Sequence, residues 1–253
     1  YCISSTCQVK RSLRTYCRII EGWLGINLCP SRSGAFLRNV AGSLSLQIIN
    51  IVVGFIVPHV LIGAYGSSVN GLVTSITQFV SYIQLVEAGI SSAAVFQLYS
   101  PIAQGDAEGA SRVVSAARIF YYKSGAVFTA LMLVLACLYP VFVQVESVSS
   151  LGVFVLVLAL GATGFLDFFT LAKYRVLLTA TQHNWVIQLA TIVYKMLYVA
   201  VVLVGTFAGV SVVALFAIAV LPILIRTALL IFYAKRHYPE INFTIDAKGL
   251  KLD

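Results

Sequence analysis

Residues 151–171 read LGVFVLVLALGATGFLDFFTL, a run with one charged side chain, Asp167. At a rise of about 1.5 Å per residue it reaches across the roughly 30 Å hydrocarbon layer of a bilayer as a helix. Its residues do not alternate apolar with polar, so a barrel strand is excluded, and a helix is the form that satisfies its backbone in lipid. Working outward, five more stretches of this kind follow the same logic. Val40 to Ile62, Leu72 to Leu98 and Ser124 to Val143 precede it; Trp185 to Thr206 and Val212 to Phe232 follow. Six spans describe an all-α, polytopic membrane protein.

Positive charge falls in every second gap. Lys10, Arg11, Arg14, Arg18, Arg32 and Arg38 precede the first span, and Arg112, Arg118 and Lys123 occupy the second gap. Lys173 and Arg175 occupy the fourth, Lys235, Arg236, Lys248 and Lys251 the tail, and the other three gaps hold no Lys or Arg. The positive-inside rule puts the charged loops in the cytoplasm. Both termini are then cytoplasmic, and the number of spans is even.

Composition agrees. The chain of 253 residues is 60% hydrophobic and 10% charged, with mean hydropathy +0.94, outside the range of soluble domains. Its net charge of +8 reads as topology, facing anionic inner-leaflet lipid rather than nucleic acid. Cys2, Cys7, Cys17 and Cys29 have spacings too irregular for a zinc site, and Cys137 lies in the third span, so reduced thiols and no metal are expected. Three divisions follow: a basic cytoplasmic segment over 1–38, a six-helix lobe over 39–234, and a cytoplasmic tail or truncated linker over 235–253. A chain that begins on Tyr1 rather than Met is expected to be a fragment or processed product, with 1–38 open to being non-native sequence; that segment lacks the apolar core of a secretory signal.

Short polar turns are expected to close the outer hairpins: Gly63 to Gly71, Gln144 to Ser150 and Phe207 to Ser211. After Pro101, acidic Asp106 and Glu108 come early and Arg112, Arg118 and Lys123 late, the order that suits a helix dipole. With Val113, Val114, Ala117 and Phe120 as an apolar face, this run is either a helix on the membrane surface or an extension of a neighbouring span. Pro58 and Pro222 each remove a backbone donor and predict kinks in the first and sixth spans. Gly161, Ala162 and Gly164, and Ala88, Gly89, Ser91 and Ser92, are small enough to let helices approach closely.

Four ionisable side chains lie inside the spans: Glu87, Asp167, Lys195 and Arg226. Each costs about 2.5 to 3.5 kcal/mol at a helix centre, so each is expected to face the bundle interior, a partner or water. Counted along the helix, Glu87 and Lys195 lie about 16 and 15 Å from the inner ends of their spans, and Asp167 and Arg226 about 6 and 9 Å. Level therefore pairs Glu87 with Lys195 and Asp167 with Arg226. Each pair reads either as a structural ion pair or as part of a polar cavity that contacts substrate or carries a proton.

His59 is expected to bond between helices, and Gln47, Asn50, Gln78 and Gln84 to line the same cavity. Tyr65, Tyr121, Tyr122, Tyr139, Tyr174, Trp185, Tyr233 and Tyr238 fall near the water interfaces, as belt anchors do. No phosphate loop, HExxH or GxSxG motif occurs. The loops are also too short for a catalytic domain, so no enzyme activity and no cofactor are expected.

Arg38-Asn39, Asn70-Gly71-Leu72, Val86-Glu87-Ala88-Gly89-Ile90, and Leu98-Tyr99-Ser100-Pro101-Ile102-Ala103 with Asp106 resemble the start of bacterial polysaccharide flippases. These form the polysaccharide transporter family of the multidrug, oligosaccharidyl-lipid and polysaccharide exporter superfamily. Tyr122 to Gly125, Lys173-Tyr174 and Ala180-Thr181-Gln182 continue the likeness, over about 200 residues. The resemblance implies two six-helix lobes around a central cavity. Alternating access there moves saccharide linked to a lipid diphosphate, of the polyprenyl type, to the outer leaflet. Only the first lobe is matched, which implies a missing second lobe or a second chain as partner. It also implies that Lys195 and Arg226 attract the diphosphate, with Glu87 and Asp167 as further candidates for substrate contact. A multidrug cation antiporter of the same superfamily, needing an accessible acid such as Glu87 or Asp167, is the alternative, and a nonfunctional half-transporter or assembly subunit another.

Overall fold

The structure, a computed structural model, describes residues 32–143, 145 and 148–239, without the side chains of 32, 33, 35, 86–91 and 170–173. Among these residues there are helices and no β-strand beyond one isolated bridge, Val145 with Val148. In chain order they are α1 Arg32–Tyr65, α2 Ser67–Gln104, α3 Ala107–Phe142, α4 Ser150–Leu166, α5 Ala172–Ala180, α6 Asn184–Phe207, α7 Val212–Ile218 and α8 Pro222–His237. A π-helical turn, Asp167–Leu171, joins α4 to α5. Five segments are long and apolar enough to cross a membrane: Phe36–Tyr65, Ala107–Phe142, Ser150–Phe169, Asn184–Phe207 and Val212–His237. The expected second span, Leu72 to Leu98, falls in α2, an unbroken helix of 38 residues that stands outside those five and contains 86–91. The chain is an all-α polytopic membrane protein.

Local chemistry sets the connections. The first turn is narrower than expected, because Gly63 to Tyr65 finish α1, Ser67 to Gly71 begin α2, and Gly66 alone, at φ 88°, reverses the chain. Gly105, at φ 71°, ends α2 in the left-handed region, where a residue without Cβ is least strained. Asp106 then caps α3, its Oδ1 accepting from the Gly109 N–H at 2.9 Å. The two helices meet across these two residues, so the basic run after Pro101 extends the third span instead of forming a separate surface helix. Val113, Val114 and Ala117 are buried along it, Phe120 is exposed, and Glu108 pairs with Arg112 at 2.6 Å. Lys173 and Arg175 are likewise helical, in α5. Pro222 opens α8 after the break that ends α7, as its missing donor requires, whereas Pro58 lies inside a continuous α1.

Packing divides the bundle. α3 packs on α2 and α4, α7 on α4, and α6 on α1 and α8. The larger core runs from Leu61 and Ile76 through Phe128 and Leu156 to Phe216; a smaller one joins Leu178, Val186, Ile187, Ala190 and Leu230. Small residues admit their neighbours as expected. Met132 lies where a Cβ on Gly161 would be, and Phe128 and the Gln84 amide lie 2.5 and 2.6 Å from one on Gly164. Of the other small-residue run, Ala88, Gly89 and Ser91 lie outside the described side chains. Phe55, Phe96, Val141, Phe207 and Phe232 are exposed, as side chains facing lipid are. Of the expected belt residues, Tyr121, Tyr139 and Tyr174 are buried within the bundle and face neighbouring helices rather than its outside.

Candidate functional site

α1 and α6 run parallel and are fastened along their length. Asn39 Nδ2 donates to the Gln182 carbonyl at 3.1 Å, and Asn39 Oδ1 accepts from the Trp185 N–H at 2.9 Å. One turn on, Gln188 Nε2 donates to Ser43 Oγ, and at the far end the Tyr65 hydroxyl donates to the Val210 carbonyl. The Arg38-Asn39 and Ala180-Thr181-Gln182 segments, far apart in the chain, thus meet in space. The backbone of Gln182 has φ 63°, a conformation these bonds help to hold.

Between this pair and α2, α4 and α7 lies a cavity of about 250 Å³. Thr77, Ser81 and Gln84 of α2 face it, with Thr163 of α4 and Tyr194, Lys195 and Tyr198 of α6. The remaining lining is apolar and includes Val53, Leu160 and Phe216. Lys195 is the one cation among the lining residues. Two spacings brought these groups here, and both are legible afterwards: Thr77, Ser81 and Gln84 stand at i, i+4 and i+7, and Tyr194 and Tyr198 at i and i+4. Of the four polar residues expected to line the cavity, Gln84 does. Gln47 and Asn50 bond to each other at 3.4 Å, and Gln78 is exposed. His59 is exposed on α1, and among the described residues it has no hydrogen-bond partner.

The four intramembrane charges separate. Arg226 Nη1 stands 3.1 Å from Asp167 Oδ1, the two side chains 9% and 19% exposed, so this expected pair is formed. Asp167 opens the π-helical turn, a feature that often marks functional positions. The Phe168 and Phe169 side chains that follow close over Gly125 of α3. Arg226 is therefore committed to a carboxylate, and neither member lines the cavity. The other expected pair, Glu87 with Lys195, lies outside the described residues at Glu87. Among the described residues no group of His, Cys, Asp and Glu is placed to hold a metal.

The chain is thus a helical membrane bundle with a cationic, hydroxyl-lined cavity between its helices. Compared with protein-family models, curated proteins and solved structures, it matches none.

Proposed function

We propose that this chain is one lobe of a flippase for lipid-diphosphate-linked saccharide in the cytoplasmic membrane, with both ends in the cytoplasm. A second lobe or a second chain completes it. The observation that carries this reading is Lys195 in the cavity with Thr77, Ser81, Gln84, Thr163, Tyr194 and Tyr198. One cation among neutral donors and acceptors suits a phosphate with sugar hydroxyls beside it. The volume of about 250 Å³ is below the roughly 300 to 1,000 Å³ of small-molecule sites, which fits half of a larger chamber. The family likeness carried by Arg38-Asn39 and the Leu98 to Ala103 segment supports the same reading. An antiporter for organic cations is favoured less, since Asp167 is tied to Arg226 and the lining carries positive charge.

The test supplies the protein, with its second lobe, to a flippase-deficient strain and measures surface polysaccharide. Wild type restores it, and Lys195→Ala reduces restoration by roughly tenfold or more, the value of one hydrogen bond to a charged group. No restoration together with raised drug resistance would transfer the assignment to the antiporter; no restoration and no resistance would leave a nonfunctional half-transporter.

A further inference from the structure

The ends of α1, α6 and α8 that carry the basic residues meet in a corner with no role in the central cavity. The Arg38 guanidinium carbon stands 5.9 Å from the Trp185 ring centre. Tyr233 meets the Trp185 ring edge-on at 6.2 Å and stacks on His237 at 4.0 Å. The Tyr238 hydroxyl lies 3.0 Å from His183 Nδ1. Within this corner, among the described residues, Arg38 Nε and Trp185 Nε1 are buried donors without an acceptor. The carboxylates of the described side chains are engaged elsewhere: Asp106 caps α3, Glu108 pairs with Arg112, and Asp167 pairs with Arg226. Burial pushes the His183 pKa down, with the charges of Arg38 and His237 acting the same way against the hydrogen bond at Thr181. The corner thus gathers one permanent cation, Arg38, with two donors that no acceptor among the described residues meets.

We propose that it binds a phosphate group, and that its occupant is the headgroup of an anionic phospholipid in the leaflet this end faces. A guanidinium presents a planar fork to phosphate oxygens, and an indole N–H is a donor suited to the interface between lipid and water. The corner lies where α1 and α6 begin and α8 ends, close to headgroup level. Binding also gives both orphaned donors the acceptor that a buried donor needs. It does not depend on the flippase reading, since a lipid docked here is held at one end of the bundle and not in the cavity. Glu240, which lies outside the described residues, is the rival acceptor.

Trp23 and Trp185 are the two tryptophans of the chain, so a Trp23→Phe protein makes Trp185 the reporter. Its emission is followed in phosphatidylcholine vesicles, in vesicles also containing phosphatidylglycerol, and in phosphatidylcholine vesicles with added inorganic phosphate. Phosphatidylglycerol is expected to shift the emission, and Arg38→Gln to weaken the response roughly fivefold, the worth of one cation near a charged membrane surface. Arg38→Lys should keep part of the response, and Arg112→Gln all of it. An equal response to inorganic phosphate would assign the site to free phosphate. A response that Arg38→Gln leaves unchanged, or one that emerges only with Glu240→Gln, overturns the proposal.

Discussion

A charge inside a membrane announces its depth but not its direction. Depth alone was enough to match Asp167 with Arg226, because the count along each helix is a one-dimensional quantity fixed by the helical rise. Removing one member leaves the other buried and uncompensated. Asp167→Asn is therefore expected to destabilise the bundle by about 3 to 5 kcal/mol, read as unfolding in detergent. Asp167→Arg with Arg226→Asp should recover most of that loss; a double reversal no better than the singles would break the pairing. His183 supplies a second residue-scale test, facing Arg38, His237, Tyr233 and Tyr238. Burial first, and these cations next, lower its pKa from 6.5. A depressed pKa means that the unfolded chain takes up the proton first. The stability it contributes is complete above pH 6.5 and is lost as pH falls towards the folded value. Thermal scans should show wild type losing more than His183→Gln between neutral and mildly acid pH.

At the scale of elements, the spans were readable and their joints less so. Hydrophobic length identified the helices, yet Gly63 to Gly71 looked like one long turn because glycine and serine are turn formers in general. The structure assigns them opposite roles. Gly66, with φ 88° and ψ 166°, holds a conformation nearly confined to glycine, so Gly66→Ala should cost about 1 to 3 kcal/mol. Gly71 lies within α2 with nothing near its Cβ position, and Gly71→Ala should gain about 0.5 to 1 kcal/mol. Equal losses at both sites in a thermal unfolding series would contradict this division. The π-helical turn at Asp167 gave no sequence signal, since the helical pattern runs through it in apolar residues. The cavity was half legible. Thr77, Ser81 and Gln84 share a helix face, but α1 and α6 are apolar around much of their circumference. In lipid the hydrophobic pattern cannot say which side of such a helix turns inward.

For the whole molecule, the alternation of basic and uncharged gaps predicts orientation, while the packing decides which residues can report it. Ser68, Ser149 and Gln104 are exposed, whereas Ser111 is buried and would resist labelling from either side. Single cysteines at Ser68 and Ser149 should react with an impermeant thiol reagent in intact cells, in a background lacking Cys2, Cys7, Cys17, Cys29 and Cys137. A cysteine at Gln104 should react only after permeabilisation. The reverse pattern would invert the topology.

The fastening of α1 to α6 also bears on how the protein is made. Asn39 and Ser43 find their partners 143 to 146 positions further along the chain, so synthesis delivers the first helix to the bilayer long before the sixth exists. Until then those polar groups must be sheltered by lipid headgroups, by the insertion machinery or by one another. Insertion is thus staged, with the opening helix docking only when the fifth crossing has emerged. A ribosome stalled before Gln182 would release a membrane intermediate in which that first helix is still unmoored.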